Sequence, residues 1–449
     1  MKYVSQKIAF PYFLLAVLLL LLQVVFGLIT AAQFIWTSFM QNIIPFNIGR
    51  EIHLNTMVFW LLLGLMGATY YLVPDETDHE LHSTKIAWTQ FWLLAATGVA
   101  AIIGYFFGWT EGREYIEAPR FLDWLIVIGA LMFLFNIAAT IIKSKRWNPI
   151  LGVIFAGMAG LSVIYLFGMK FFGSMSLDQF FWWWVIHLWV EGTWELIAAG
   201  ITAYLLIKLT GVSLGVVAKW LYLEVTLVLL TGILGIGHHY YWIGTPEYWL
   251  PIGGLFSLLE PLPILLMVFD TLRHVKDSPK PHPNKIALLW VVGAAITHFV
   301  GAGLMGVVQT LPAINKWTHG TQLTAAHGHL AFYGAFAMLV IAAMYYMLPE
   351  IRETQVSGKR GIWAFWVMLL SMVSMSFILF GAGITQVYLE RILGLDFTYV
   401  KTNFNNLWFI WRLITGAGFA VGLVILIRDI VEISFGRPVT TVESTGQKM

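Results

Sequence analysis

Two histidines stand two residues apart in an apolar stretch, at His327 and His329 in the segment TAAHGHLAFYGAF. At 3.6 residues per helical turn these positions point about 200° apart, so one helix could hold a metal centre on each of two sides. Imidazole rings at this depth need polar partners, because the surrounding apolar medium supplies none. The spacing therefore indicates redox-type metal sites inside a membrane.

A second helix-spaced group occurs in the segment WWWVIHLWVEGTWELIAAG. His187, Glu191 and Glu195 follow an i, i+4, i+8 pattern, so their side chains share one face of a helix. Buried carboxylates are costly in an apolar segment, and three stacked polar residues exceed what helix packing needs. We therefore favour a functional site over a polar helix–helix contact.

The next apolar segment, GILGIGHHYYWIG, contains the adjacent residues His238 and His239. Such a pair alone is more typical of polar packing than of a metal site. Together with His187 on the preceding helix, it predicts a metal site. With Glu191 as a fourth ligand the site would suit iron, whereas imidazoles alone would suit copper at least as well.

Three further residues have weaker patterns. Glu260 precedes Pro261 in FSLLEPLPI, and a proline loosens the helix beside the acid. A proton donor, a carboxylate that steers the metal site and a capped kink are all compatible with this pattern. His53 in GREIHLNTMVFW has no other histidine or acid as a partner in its segment. Its assignment as a haem ligand therefore depends on a partner from the helix that carries His327 and His329. His298 has no acidic partner in its own helix, and we do not predict it to be a ligand.

The composition fits a protein that spans a membrane many times. The chain has 449 residues, of which 59% are hydrophobic and 11% charged, against about 25% charged in soluble domains. The absence of cysteine excludes disulfides, thiolate-bound clusters and covalently attached haem, but permits haem held by histidine. We expect the lipid bilayer as surroundings and no nucleic-acid partner.

Apolar stretches of about 20 residues predict about twelve transmembrane helices in an all-α fold. The predicted spans are 8–33, 50–73, 86–108, 120–142, 149–172, 178–207, 216–243, 248–272, 286–311, 320–348, 361–389 and 405–428. Short loops join them, which predicts one transmembrane catalytic domain over residues 1–449. Most of the 26 Lys and Arg residues fall on one side when both termini are cytoplasmic, so we predict that orientation.

These motifs resemble the catalytic subunits of cytochrome c-dependent nitric oxide reductases, a branch of the haem–copper oxidase superfamily. The resemblance extends from REIHLNTMVFW through HLWVEGTWE, GHHYYWIGTPEYW and LLEPLPI to HGHLAFYGAF. It implies a haem–copper oxidase-like helix bundle in the inner membrane of a bacterium. It also implies that the chain reduces two nitric oxide molecules to N2O and water in denitrifying respiration.

The resemblance implies two haem b groups and one non-haem iron. His53 and His329 would be the axial ligands of a low-spin haem b that relays electrons, and His327 the proximal ligand of a high-spin haem b. The non-haem iron would be held by His187, Glu191, His238 and His239. Glu195 and Glu260 would line this site and deliver protons.

The loop WTEGREYIEAPR is predicted to face outward. There Glu114 resembles a calcium ligand, whose ion would tie haem propionates to a partner subunit, with Arg113 and Glu117 in support. Because no haem can be attached covalently to this chain, electrons must arrive from another protein. The expected partner is a membrane-anchored c-type cytochrome subunit.

Two other functions compete with this interpretation. In typical oxygen-reducing terminal oxidases, the position four residues after the first metal histidine is a tyrosine, whereas here it is Glu191. A transporter with intramembrane His and Glu relays would suit twelve helices, but it does not explain the spacing of His327 and His329. The sequence therefore favours a nitric oxide reductase, with an oxygen reductase as the alternative.

Overall fold

The structure is a computed structural model that describes residues 1–258, 262–276 and 284–437, and this part of the chain contains helices and no strand. The helices, including their 3-10 and π-helical turns, are α1 Val4–Ile35, α2 Phe46–Thr77, α3 Thr84–Phe106, α4 Arg120–Ser144, α5 Pro149–Gly168, α6 Met175–Thr210, α7 Leu214–Tyr240, α8 Trp249–Phe256, α9 Leu262–Val275, α10 Lys285–Thr310, α11 Pro312–Thr318, α12 Gln322–Arg352, α13 Gly358–Ile392 and α14 Phe397–Phe435.

The predicted all-α, multi-pass fold is confirmed. Within the described residues, 11 helices are long and apolar enough to cross a hydrocarbon core, which takes about 20 residues. The predicted span 248–272 corresponds to two shorter helices, α8 and α9. Residues 259–261 between them lie outside the described part of the chain.

Large apolar side chains cover the outer surface of the bundle. In a soluble protein such a surface would drive aggregation, but a bilayer solvates it. Examples that are more than half exposed are Leu18, Trp92, Phe135, Ile142, Leu229, Phe377 and Val421. Together with the long apolar helices, this surface identifies a multi-pass membrane protein.

Three of the helices that carry histidine motifs, α2, α6 and α12, lie at the centre of the bundle, whereas α7, which carries His238 and His239, has 44% of its apolar window buried. In the apolar windows of α2, α6 and α12, 89%, 83% and 83% of the residues are buried, against 22% in α14. The sequence can place polar ligands on these helices because neighbouring helices, and not lipid, surround them. The fold thus isolates the candidate ligands from the bilayer.

Irregular helical turns occur beside each group of candidate ligands. A π-helical turn covers Leu188–Trp194 in α6, another follows His298 in α10, and a third covers Tyr333–Ala337 in α12. The last turn of α7, Gly235–Tyr240, is a 3-10 helix. π-helical turns are rare and often occur at functional sites, but two others in the described residues, Val387–Ile392 and Lys401–Asn405, adjoin no candidate ligand.

The helices α10 and α12 touch through their backbones at two glycines. A Cβ atom added at Gly301 would lie 2.6 Å from the carbonyl carbon of Leu330, and one added at Gly334 would lie 2.4 Å from the backbone nitrogen of His298. No larger residue fits there without moving a helix. This contact fixes the position of α10 along the axis of α12, and so its position relative to the histidines of α12.

Candidate metal and haem site

Four predicted ligands converge at one point inside the bundle. One ligand atom from each of His187, Glu191, His238 and His239 lies within 4.8 Å of the other three. Across the described residues, no second group of three or more His, Asp or Glu side chains comes together in this way. The structure therefore brings together the four residues that the sequence predicts as ligands of one metal, two from α6 and two from α7.

The Glu191 carboxylate lies among the three imidazoles. One oxygen is 3.3 Å from Nδ1 of His187 and 3.8 Å from Nε2 of His238, and the other is 3.4 Å from Nε2 of His239. Three imidazoles and a carboxylate are a nitrogen and oxygen donor set that suits a divalent transition metal. Without a bound ion or another polar partner, the burial of these four donors would cost free energy.

His187 provides a test of whether these residues fit a metal. The residue is fully buried, and neither of its ring nitrogens makes a hydrogen bond to any described residue. Burying a polar group without a partner costs about 1–3 kcal/mol, so such groups in native proteins need an explanation. A bound ion at the point where the four side chains converge would supply the missing partner.

The other two histidines are oriented by neighbours. Nδ1 of His238 lies 2.8 Å from Oγ of Ser257, whose hydroxyl donates to the carbonyl of Gly253 and can therefore accept from the ring. The ring of His239 stacks on Trp183, with centroids 4.7 Å apart and planes 7° from parallel. Sequence reasoning missed Ser257, because its contact with His238 depends on the packing of α8 against α7.

His53 and His329 face each other, as the predicted axial pair requires. Their ring centroids are 6.3 Å apart. Nδ1 of His53 donates to the carbonyl of Gln23 at 2.8 Å, and Nδ1 of His329 donates to the carbonyl of Ala325 at 2.7 Å. Both rings thus keep Nε2 for a ligand, and two metal–imidazole bonds of about 2 Å plus the ring radii would fill the gap.

His327 is held on the opposite side of α12 by a contact with α10. Its Nδ1 donates to the carbonyl of Gly301 at 2.8 Å, which leaves Nε2 as the ligand atom. The ring also lies against Gly306, where an added Cβ would be 3.1 Å from it. Glu191 is close enough to act electrostatically on His327. α12 therefore lies between His53, which faces His329, and the four-residue metal site, which is on the side of His327.

Arg412 on α14 was missed by sequence reasoning. Its Nη1 is buried and has no hydrogen-bond partner among the described residues, and its charge acts on both His53 and His329. The guanidinium lies 4.8 Å from the ring centre of Phe34. A cation with an unsatisfied donor beside the histidine pair suits the carboxylate of a ligand held there.

Glu195 belongs to a second polar group, one helical turn beyond Glu191. An oxygen of Glu195 lies 3.4 Å from Nε2 of His298 on α10, and both residues are buried. Sequence reasoning set His298 aside because its own helix offers no acid, but the acid comes from α6. Buried Glu224 on α7, whose Oε1 has no hydrogen-bond partner among the described residues, was also missed.

The loop between α3 and α4 places its charged residues in ion pairs and hydrogen bonds. Glu114 pairs with Arg50, and Arg113 donates to the carbonyls of Gly168 and Lys170 at 2.8 Å each. The predicted calcium ligand Glu114 thus has a basic partner. Whether it also binds an ion stays a prediction.

Glu117 in this loop is 2% exposed and accepts a hydrogen bond from Nδ2 of Asn55 at 2.8 Å. Burial raises the pKa of its carboxyl to about 8, although the bond from Asn55 acts in the opposite direction. The carboxyl is therefore mostly protonated at neutral pH. The remaining predicted site residue, Glu260, lies outside the described residues.

Comparisons with known proteins agree with the predicted fold. A family model described as cytochrome c and quinol oxidase polypeptide I matches residues 7–418. A solved structure of a haem–copper terminal oxidase dimer has the same fold, with a TM-score of 0.73 at 16% identity over 98% of this chain and 86% of that chain.

Two sequence relatives differ in their distance from this chain. A nitric oxide reductase subunit of Stutzerimonas stutzeri is 44% identical over 446 residues, which cover 94% of each chain. A cytochrome c oxidase subunit 1 homologue of Agrobacterium tumefaciens is 24% identical over 396 residues, or 81% of this chain and 71% of the relative. The reductase subunit is thus the nearer of the two over the greater length.

Proposed function

We propose that this chain, which belongs to the cytochrome c and quinol oxidase polypeptide I family, is the catalytic subunit of a respiratory nitric oxide reductase. The observation that carries the proposal is the Glu191 carboxylate among three histidines, at the position where the oxygen-reducing relatives are expected to have tyrosine. The 44% identity to a nitric oxide reductase subunit supports it, against 24% to an oxidase homologue.

The proposed reaction joins two NO molecules with two electrons and two protons to give N2O and one water. His187, Glu191, His238 and His239 would hold a non-haem iron and His327 a high-spin haem b, and the two irons would supply binding places for both nitrogens and stabilise negative charge on oxygen. The chain's part is to hold these donors at a fixed separation. His327 does so through Gly301, and His238 through Ser257.

Electrons would reach this centre through a low-spin haem b between His53 and His329. The fixed Nδ1 hydrogen bonds of both rings support that assignment, because they orient Nε2 toward the gap and raise its basicity. Arg412 would bind a haem carboxylate there. All electrons are expected from a c-type cytochrome subunit anchored in the same membrane, since this chain has no cysteine to attach haem c.

Protons would be supplied by the buried carboxyls near the site. Glu195 lies one turn from Glu191, and one of its carboxylate oxygens is 3.4 Å from Nε2 of His298. The proposed role of Glu260 in proton delivery rests on the motif alone. Glu117 in the loop is protonated near neutral pH and would be an outer proton donor.

The remaining proposals concern the surroundings of the site. Glu114 would help to bind a calcium ion near the haem carboxylates and the cytochrome subunit. The chain would form one catalytic domain over residues 1–449. It would reside in the bacterial inner membrane with both termini in the cytoplasm, in agreement with the bias of its basic residues.

Metal analysis and turnover of the purified subunit complex test the proposal. We expect one iron per chain in excess of haem b after co-purified cytochrome c is subtracted, no copper, and consumption of NO with release of N2O. One copper per chain, with iron equal to haem and oxygen as the preferred substrate, would instead favour the terminal oxidase.

A further inference from the structure

Glu195 on α6 and His298 on α10 form a buried pair beside the metal site. One carboxylate oxygen of Glu195 lies 3.4 Å from Nε2 of His298, and the two residues are 7% and 3% exposed. Glu195 is four residues beyond Glu191, about 6 Å along the axis of α6. The pair therefore lies one helical turn from the carboxylate of the metal site, on the same face of that helix.

One turn of α10 contacts both Glu195 and the helix that carries His327. The ring of His298 reaches α6, whereas Gly301, three residues later, accepts a hydrogen bond at 2.8 Å from Nδ1 of His327 on α12. The backbone of His298 is held from the side of α12, because a Cβ added at Gly334 would lie 2.4 Å from its nitrogen. The contact that places His298 against Glu195 is thus the one that also positions His327.

Stability does not account for this pair. Ionisable residues inside a membrane-spanning bundle are expensive, and replacing a buried ion pair by apolar residues of similar volume is often neutral or stabilising. A carboxyl that gives up its proton in such surroundings leaves an anion that needs a hydrogen-bond donor. The imidazole of His298 can supply one, since even the neutral ring carries an N–H. The pair is therefore suited to a carboxyl that loses and regains a proton.

The separation between Glu195 and His298 leaves room for their contact to shorten. At 3.4 Å it is longer than the roughly 2.7–2.9 Å of a hydrogen bond between an N–H and a charged partner. Hydrogen bonds at catalytic groups are often long until the reacting species is bound. We expect this contact to shorten when the carboxyl is ionised.

We propose that His298 is a positioning residue for Glu195, an inference that rests on the proposed nitric oxide reductase function. When Glu195 gives its proton toward the metal site, its O–H bond breaks, the electron pair stays on the carboxylate, and the proton passes to an oxygen of the substrate. The Nε2–H of His298 then donates to that carboxylate and keeps it on the side of Glu191. His298 retains its own proton, and the step moves one proton and no electron.

Paired substitutions at His298 test this role. His298→Gln keeps a side-chain N–H donor, whereas His298→Leu removes it. We expect His298→Leu to lower the kcat of NO reduction by about tenfold or more at unchanged KM, with wild-type haem b and iron content, and to raise the solvent deuterium isotope effect. His298→Gln should recover much of the rate. Thr310→Val is the matched control, because this buried hydroxyl on α10 donates to the carbonyl of Val307 in its own helix.

Infrared difference spectra of the reduced and oxidised protein measure the contact without NO. The carboxylic-acid carbonyl band of Glu195 is assigned by its loss in Glu195→Gln. That band should move to higher frequency in His298→Leu, because the carbonyl loses a hydrogen bond, and return toward the wild-type frequency in His298→Gln. An unchanged band or wild-type turnover in His298→Leu, or the absence of any band that Glu195→Gln removes, would overturn the inference.

Two further outcomes separate this role from its alternatives. Equal losses of rate in His298→Leu and His298→Gln, together with reduced haem b or iron content, would overturn the positioning role in favour of a structural one. If the wild-type protein does not reduce NO but the band of Glu195 still moves in His298→Leu, the proposed function fails, while the contact of His298 with the acid of Glu195 stands.

Discussion

Nδ1 of His187 and a carboxylate oxygen of Glu191 lie 3.3 Å apart across a helix that changes from α to π winding between them. Neither ring nitrogen of His187 makes a hydrogen bond to a described residue, and Glu191 also lies near both histidines of α7. The π-helical turn therefore places the Glu191 carboxylate among His187, His238 and His239.

Replacing Glu191 by alanine should remove the non-haem metal and leave both haems in place. The variant removes the one anionic donor of the group, but it does not touch His53, His327 or His329. We expect iron in excess of haem to fall from one per chain to near zero and NO turnover to be lost, measured by elemental analysis and gas uptake. Full iron content with normal turnover would remove Glu191 from the ligand set. Exposed Glu247→Gln on the loop after α7 is the control.

His329→Ala should abolish the low-spin haem spectrum and spare the metal group. His329 faces His53 across 6.3 Å, and without it the haem would lose one of two axial ligands. The readout is the visible and low-temperature paramagnetic resonance spectrum of the purified protein. His274→Ala, a change of a half-exposed side chain on α9, should leave the spectrum as in wild type. An unchanged low-spin spectrum in His329→Ala would mean that another residue is the axial ligand.

Ser257→Ala should weaken metal binding without changing any ligand. The Ser257 hydroxyl accepts from Nδ1 of His238 at 2.8 Å and so fixes which ring nitrogen is available to the metal. Loss of such an outer hydrogen bond typically costs about 10–100-fold in metal affinity or activity. Chelator competition on the purified protein measures the effect, and Ser213→Ala at an exposed position serves as the control. Equal affinities in the two variants would contradict the proposed role of Ser257.

The protonated state of Glu117 predicts a pH dependence of stability. Burial raises the pKa of this carboxyl from 4.5 to about 8, so the folded protein holds its proton more tightly than the unfolded chain does. The free energy of unfolding therefore decreases as pH rises between about 4.5 and 8, by at most about 1.4 kcal/mol per pH unit from this one group.

Glu117→Gln cannot titrate, so the melting temperature of the detergent-solubilised variant should decrease less across this pH range than that of wild type. Thermal unfolding followed by intrinsic fluorescence at several pH values checks the difference. Parallel curves for variant and wild type would show that Glu117 ionises normally in the folded protein.

Gly334→Ala should destabilise the bundle, because the added Cβ would lie 2.4 Å from the backbone nitrogen of His298. Forcing a methyl group into such a contact typically costs about 1–3 kcal/mol. Gly358→Ala at the start of α13 adds the same group where nothing lies within 4 Å, so it should be neutral or slightly stabilising. The two melting temperatures, compared at one pH, measure the effect. Equal melting temperatures would contradict the tight contact of α10 with α12.

Local patterns in the chain were sufficient to predict much of the site. The i, i+4 spacing of His187 and Glu191 survives in the structure, because both positions stay on one side of the helix even through the π-helical turn. The HGH spacing likewise predicts rings on two sides of one helix. Such relationships are contained within single helices, so helix geometry alone is enough to derive them.

Contacts between helices could not be derived in this way. No local pattern pairs His298 with Glu195, or Ser257 with His238, because each pair joins different helices. Glu224 and Arg412 belong to no motif, and each has a buried polar atom without a hydrogen-bond partner among the described residues.

By itself the sequence determined that this chain crosses a membrane many times, and it predicted which of its residues bind metal. Hydropathy and helical spacing are local properties, and the apolar medium makes every buried polar residue conspicuous. The tertiary structure alone decided which of these residues meet, because the position of α7 and α10 against α6 and α12 is set by side-chain packing across helices. Backbone contact at Gly301 and Gly334, and not any motif, sets the height at which the histidines of α12 face their neighbours.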